Sequence, residues 1–295
     1  VKRAARALGV DLGGTKLLAC LADDEARPIA FARRPTGRAT SPREAIRLIA
    51  DVAAELTGRA GAFDACGIAF PGLVDAARGV VRSSVMLDGW RGVPLAALAA
   101  RAIGAPCVVE NDANAAAVAE VRARGRDAPD PMLFVAVGTG IGGAVVVGGR
   151  VLRGASGTAG EIGNTTIRGD DGPLCRCGRR GCLNALASGA AIERDLGIAP
   201  GSLAEHARRE DPRIASAALR AARALGAGIA NAVNLLGPSL VVMGGGVARL
   251  PGFCEAAFRA ARAEAFTEAV EACRFEPARA GYEAAAIGAA ILARA

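Results

Sequence analysis

Two short glycine-rich turns, each entered and left by an apolar run, carry the residues of this sequence best suited to anion chemistry. The first is Gly9-Val10-Asp11-Leu12-Gly13-Gly14-Thr15-Lys16-Leu17-Leu18; the second is Val135-Ala136-Val137-Gly138-Thr139-Gly140-Ile141-Gly142-Gly143-Ala144-Val145. Both patterns read as β-hairpins. Glycines at such turns let backbone N–H groups meet an anion without an intervening Cβ. Two of them facing one another would grip a polyphosphate from both sides, which points to nucleotide-dependent phosphoryl transfer. Asp11, at a strand end, suits Mg2+ held through water, because that ion keeps much of its hydration shell beside phosphates. An Asp that only stabilises its own turn is the alternative; Thr15 and Lys16 beside it favour the chemical role. Lys16 and Lys2 are the only lysines in a chain that otherwise uses Arg, and a compact ammonium is not equivalent to a guanidinium at a phosphate.

A second group is Val109-Glu110-Asn111-Asp112-Ala113-Asn114, where a short strand gives way to an Ala-rich helix. Ligand sites of doubly wound sheets gather at such carboxyl ends. A carboxylate there can take the proton of an attacking hydroxyl during phosphoryl transfer. Asp112 could instead simply cap the helix, but capping needs one polar residue and four cluster here. The loop Gly157-Thr158-Ala159-Gly160-Glu161-Ile162-Gly163-Asn164 offers an acid and an amide framed by glycines, as an ordinary surface loop also could. Cys175-Arg176-Cys177-Gly178-Arg179-Arg180-Gly181-Cys182 has the close thiol spacing of a structural zinc site, with one tetrahedral position left open. Gly244-Gly245-Gly246, after a strand, is expected to receive the adenosine half of ATP.

The elements that must position these residues alternate. Residues 8–34 read as three strands, 41–56 as a helix capped by Ser41 with Pro42 in its first turn, and 65–70 as a buried strand. A polar segment from Leu73 to Trp90 precedes a helix over 94–101 and a strand over 107–109 that delivers Asp112. Strands follow from Met132, then an irregular loop over 154–182, a long helix over 212–236, a strand over 240–243, a strand over 273–275 and a closing helix. At 295 residues and 52% apolar composition, two domains are the expectation. The first is residues 1–113 plus the C-terminal helix 281–295; the second is 114–280, with a hinge near residue 113. The formal charge of +7 comes from scattered arginines without interleaved aromatics, so nucleic acid is not an expected partner. No apolar stretch approaches the ~20 residues of a membrane helix. Val1-Lys2-Arg3 leads almost directly into a strand, so no signal peptide is expected. Cys20, Cys66, Cys107, Cys254 and Cys273 sit in apolar contexts suited to buried thiols, and a cytoplasmic location is expected.

Together these motifs make the chain resemble the ROK family (repressors, open reading frames and sugar kinases) of the actin/hexokinase-like ATPase superfamily, nearly end to end. The resemblance implies a two-domain α/β, ribonuclease H-like fold with its active site in a cleft between domains. It further implies an ATP-dependent, glucokinase-like hexose 6-kinase in which Asp112 is the catalytic base for the sugar 6-hydroxyl. Asn111 and Glu161 would bind ring hydroxyls. Asp11, Gly13, Gly14, Thr15, Lys16, Gly138, Thr139, Gly140, Gly142, Gly244 and Gly245 would bind Mg-ATP, and a homodimer is implied. Three sugar-facing positions depart from the family pattern: Asn164 stands for a zinc-binding His, Asn184 for a Glu, and Met86 for an Asn. The family's His and Glu serve the C1–C2 edge of the ring and its Asn the C3 region. The departures therefore favour an amino or otherwise modified hexose, kanosamine-like or N-acetylmannosamine-like, alongside glucose. Zinc on Cys175, Cys177 and Cys182, with water or another oxygen as fourth ligand, is one expectation; three free thiols are the other. A family repressor would need a DNA-binding domain before Gly9, where only eight residues stand. A catalytically silent sugar sensor would have no reason to keep Asp112 together with Asp11, Thr15 and Thr139.

Overall fold

The structure, a computed structural model, describes residues 5–125 and 128–295. The opening residues on which the signal-peptide expectation rests, together with residues 126–127, lie outside the described residues. In chain order the first elements are β1 (Ala7–Leu12), β2 (Lys16–Ala22), β3 (Pro28–Pro35), α1 (Pro42–Ala60), β4 (Ala65–Phe70), β5 (Leu73–Asp75), β6 (Val80–Ser83), α2 (Leu95–Ile103), β7 (Cys107–Asn111) and α3 (Asp112–Arg124). There follow β8 (Met132–Val137), β9 (Ile141–Val147), β10 (Arg150–Leu152), a 3-10 turn (Ile162–Asn164), α4 (Leu183–Ala187), α5 (Gly189–Leu196) and α6 (Leu203–Arg208). The last are α7 (Pro212–Leu236), β11 (Leu240–Gly244), a second 3-10 turn (Val247–Arg249), α8 (Phe253–Glu264), α9 (Thr267–Glu271), β12 (Arg274–Pro277) and α10 (Ala284–Leu292).

These elements form two compact units. One is Val1–Arg126 with Arg153–Thr158 and Arg279–Ala295; the other is Asp127–Leu152 with Ala159–Ala278. The expected boundary near residue 113 thus differs from the observed clustering, in which all of α3 belongs with the first unit. The reason is packing: α3 lies along α10, and α10 lies on β1 and β4. That approach is backbone to backbone. A Cβ on Gly9 or Gly67 would overlap the carbonyl oxygens of Ala286 or Ala289, and one on Gly288 would overlap that of Ala115. Buried Glu120 of α3 accepts N–H bonds from Arg279 (2.9 Å) and Ala280 (2.9 Å) and pairs with Arg124 (2.8 Å). The returning segment is thereby fixed where it meets α3.

The first unit's sheet has the order β3-β2-β1-β4-β7. β1, β2 and β3 are antiparallel, while β4 and β7 run parallel to β1. The apolar runs of β1 and β4 are almost wholly buried, as expected of strands covered on both faces. α1 starts at Ser41, whose hydroxyl accepts from Glu44 N–H. Within the segment expected to be merely polar, β5 and β6 form a small antiparallel pair that buries Val74 and Val81. The second unit's sheet has the order β10-β9-β8-β11-β12. Its core joins β8, β9 and β11 to one stripe of α7 (Ile214, Ala218, Leu225, Ile229, Val233) and to Phe253 and Phe258 of α8. No helix of the described residues is long and apolar enough to cross a membrane.

Candidate active site

In the first unit the chemistry-bearing residues gather at the carboxyl ends of β1, β4 and β7. Gly13 N–H donates to Lys16 carbonyl (2.9 Å), closing the turn after Asp11. The turn is braced by Thr36, whose hydroxyl donates to Gly13 carbonyl (2.7 Å) and whose N–H donates to Thr15 carbonyl (3.1 Å). Burial pushes the Asp11 carboxyl up to about 6, with the nearby Lys16 charge opposing the shift. The Lys16 ammonium itself lies over the Tyr282 ring, 3.2 Å from its centroid, a cation–π contact. A Cβ on Gly14 would meet nothing nearer than Met86 carbonyl at 3.7 Å, and Gly14 has no left-handed φ. Neither packing nor backbone geometry demands glycine there. The space beside Gly14 is open to a ligand, as a phosphate cradle would require.

β7 runs directly into α3, and Asn111 is the cap at the junction. Its Oδ1 accepts from Ala113 N–H (2.9 Å) and Asn114 N–H (3.1 Å), while its Nδ2 donates to Gly72 carbonyl (3.2 Å). The capping role anticipated as an alternative for Asp112 is therefore filled mainly by Asn111. Asp112 Oδ1 accepts from Ala113 N–H (2.9 Å), and the residue occupies the first turn of α3, where the helix dipole favours a negative group. Glu110 is buried and saturated: Oε1 accepts from Asn111 N–H and Asn114 Nδ2 (both 2.9 Å), and Oε2 accepts from Arg153 at 2.7 Å. That makes Glu110 a brace of the β7–α3 junction, holding Asn111 and Asn114 on either side of Asp112. The sequence reading passed over this role; the motif contained Glu110, but nothing local announces Arg153 as its partner.

In the second unit the turn Gly138–Gly140 closes with Gly138 N–H donating to Gly140 carbonyl (2.8 Å). The start of α5, capped by Ser188, presses on it: Gly189 N–H donates to Gly138 carbonyl (2.8 Å). A Cβ on Gly138 would meet only Gly140 carbonyl at 3.9 Å, so this glycine too leaves room for a ligand. Gly244 ends β11, and Gly245, with φ +96°, packs against the Val137 backbone beside the turn. Glu161 is brought against β9 because Gly143 and Gly160 approach without side chains. Its carboxyl is raised by burial and lowered by the Asn164 amide, which donates to Glu161 Oε2 at 2.8 Å. Asn184 reaches the same group from α4, its Nδ2 donating to Asn164 Oδ1 at 3.2 Å. The second unit thus assembles Gly138, Thr139, Gly140, Gly142, Glu161, Asn164, Asn184 and Gly244–Gly245, and the first assembles Asp11, Gly13–Lys16, Met86, Asn111 and Asp112.

The sulfurs of Cys175, Cys177 and Cys182 lie within 4.8 Å of one another, with Cys177 and Cys182 at 3.5 Å. Three such thiols fit a thiophilic ion such as zinc. The Asn164 amide is engaged with Glu161 and Asn184 through both its atoms.

Comparison with known proteins follows this geometry. The model of the ROK family matches residues 7–295. A glucokinase of Thermotoga maritima is 33% identical over 263 residues, 82% of each chain. An N-acetylmannosamine kinase of Citrobacter koseri is 32% identical over 300 residues, covering 97% of this chain and 98% of that one. The crystal structure of a ROK family glucokinase from Streptomyces griseus, in complex with glucose and AMPPNP, is 32% identical. It superposes with a TM-score of 0.84 over 98% of this chain and 99% of that chain. The fold is accordingly the actin/hexokinase-like α/β fold, and the chain belongs to the ROK family.

Proposed function

We propose that this protein is an ATP-dependent sugar kinase that transfers the γ-phosphoryl group to the 6-hydroxyl of a hexose. The observation carrying this reading is Asp112 at the β7–α3 junction, in the helix's first turn and underpinned by the saturated Glu110–Arg153 pair. Asp112 takes the 6-hydroxyl proton as O6 bonds to the γ-phosphorus and the bond to the β,γ-bridging oxygen breaks, leaving ADP and the hexose 6-phosphate. Asn111 and Glu161 hold ring hydroxyls. The backbone amides of the Gly13–Lys16 and Gly138–Gly142 turns bind phosphate oxygens, and Gly244–Gly245 borders the adenosine. Asp11 would hold hydrated Mg2+, which when bound neutralises charge on the β- and γ-phosphates. Cys175, Cys177 and Cys182 would hold a structural zinc that stiffens the loop bearing Glu161, for which elemental analysis is the check. The working form is a cytoplasmic homodimer.

The substrate is glucose or a hexose modified at C1–C3. A site built to hydrogen-bond a hydroxyl discriminates strongly, because an unmatched buried polar group costs about 1–3 kcal/mol. Amides at 164 and 184 and the apolar Met86 change that matching, and the relatives include both glucokinases and N-acetylmannosamine kinases. The test is ADP release with glucose, mannose, glucosamine, N-acetylmannosamine and kanosamine. A modified hexose is expected to match or exceed glucose in kcat/KM. Glucose ahead by tenfold or more would show that the substitutions at 86, 164 and 184 are compensated.

A further inference from the structure

A directional chain of hydrogen bonds joins the second glycine turn to Glu161. Ile141, the first residue of β9, donates its backbone N–H to Asn184 Oδ1 at 2.6 Å. Asn184 Nδ2 donates to Asn164 Oδ1 at 3.2 Å, and Asn164 Nδ2 donates to Glu161 Oε2 at 2.8 Å. Both ends set the direction, because a backbone N–H only donates and an ionised carboxylate only accepts. Flipping either amide would set two donors or two acceptors face to face. Glycines make the room: a Cβ on Gly140 would stand 3.2 Å from Asn184 Oδ1, and one on Gly163 2.5 Å from Asn184 Nδ2. All the side chains in the chain are partly buried, where such bonds polarise one another.

We propose that Asn184 and Asn164 are positioning residues, a polarised amide relay that orients the Glu161 carboxylate from the Gly138–Ile141 turn. Both asparagines therefore act on the sugar through Glu161. This rests on the reading of Glu161 as a sugar ligand. A carboxylate at 184 could accept from Ile141 but could not donate to Asn164, so the relay requires an amide there. Among the described residues, Asn164 is the side chain bonded to the Glu161 carboxylate. β9 and α4, which pack on the 162–164 turn, carry no titratable side chain, and Arg213, Arg220 and Arg223 of α7 are exposed. Arg179 donates to the backbone carbonyl of Asn164 at 2.6 Å and bonds the Cys177 thiol, and among the described residues it makes no bond to Glu161.

The test is Asn184→Asp, which preserves size and the bond from Ile141 but removes the donor to Asn164. Glu161 is followed by 13C NMR of side-chain carboxyls, with Glu161→Gln assigning its signal. The expected result is a rise of about one pH unit in the Glu161 titration, to which both the acceptor turned by the Asn164 amide and the carboxylate charge introduced at position 184 contribute. The acid limb of kcat/KM for the best hexose should move with it, giving up to about a tenfold loss at pH values below the wild-type Glu161 titration. Asn184→Ala, which frees Asn164 to rotate and adds no charge, should shift Glu161 the same way by less and is the deciding variant. An unchanged Glu161 titration in folded Asn184→Ala overturns the relay. Wild-type protein that phosphorylates no hexose overturns the role of Glu161 as a sugar ligand and leaves the NMR result to judge the relay alone.

Discussion

The β1–β2 and β8–β9 turns occupy the same place in two sheets of the same layout, yet they carry opposite chemistry. Each sheet sets three antiparallel strands beside two parallel ones, with the glycine turn between the inner pair of the antiparallel set. In the first unit that turn is flanked by Asp11 and Lys16, and the outer parallel strand β7 ends in Glu110-Asn111-Asp112. In the second the turn is Gly138-Thr139-Gly140, without an ionisable group, and the matching strand β12 ends in Glu276-Pro277-Ala278. A polyphosphate tolerates a carboxylate only with a cation between them. Under the proposed function, one turn can therefore carry an acid and the other must be neutral. On the same reading, metal binding and proton transfer would fall to the first unit, while the second turn would meet phosphate with backbone amides alone.

The largest expected effect would break the contrast at β7. Asp112→Asn should lower kcat by about 10²–10⁴-fold while leaving ATP binding close to wild type. A variant retaining more than about a tenth of kcat would remove Asp112 as the base.

Asp11→Asn tests whether the first turn is truly the charged one. Turnover with MgATP should fall by at least about tenfold in kcat/KM. The ligand-free protein should behave in the opposite way. Because the Asp11 carboxyl is raised from 3.8 to about 6 in the folded state, its ionisation costs stability. That cost is absent below pH about 4, grows as pH rises toward about 6, and is complete above. The variant should then melt at a higher temperature than wild type near pH 7.5, with the gap closing as pH falls through that window. A variant that melts lower at neutral pH would contradict the raised Asp11 carboxyl.

A smaller effect sharpens the comparison between glycines. Gly163→Ala would push a Cβ into Ile141 carbonyl and Asn184, and should cost about 1–3 kcal/mol of stability. Gly14→Ala meets nothing closer than 3.7 Å, so thermal stability should hold while ATP affinity drops. Equal loss of stability in both would mean that the first turn's glycine serves the protein rather than a phosphate.

Elements with strong punctuation were legible in the sequence. α7 spans Pro212–Leu236 as expected because Asp211 caps it, Pro212 opens it and Gly237 ends it in the left-handed region. Ser41 and Pro42 set the start of α1 in the same way. β5 and β6 were not legible, since three- and four-residue strands show too little alternation to stand out from a polar loop. At the site, glycine turns and the Asp112 motif could be read from local pattern. The division of labour inside that motif could not, because Asn111 or Asp112 could cap equally well until the backbone fixed which side chain faces Ala113 and Asn114. The Glu110–Arg153 pair and the Asn164–Asn184 contact join residues far apart in the chain through irregular loops, and no periodicity encodes such meetings.

The seating of α10 on bare strand backbone has a consequence for biosynthesis. The helix that covers β1 and β4 follows every residue of the second unit in sequence. On the ribosome, Gly9 and Gly67 must therefore wait uncovered until that unit has been translated. The second unit, interrupted only by residues 153–158, can close its own core first. A released chain truncated after residue 278 should thus show a protease-resistant second unit and a first unit still open to chaperones, since domains fold as units and long-range closure comes late.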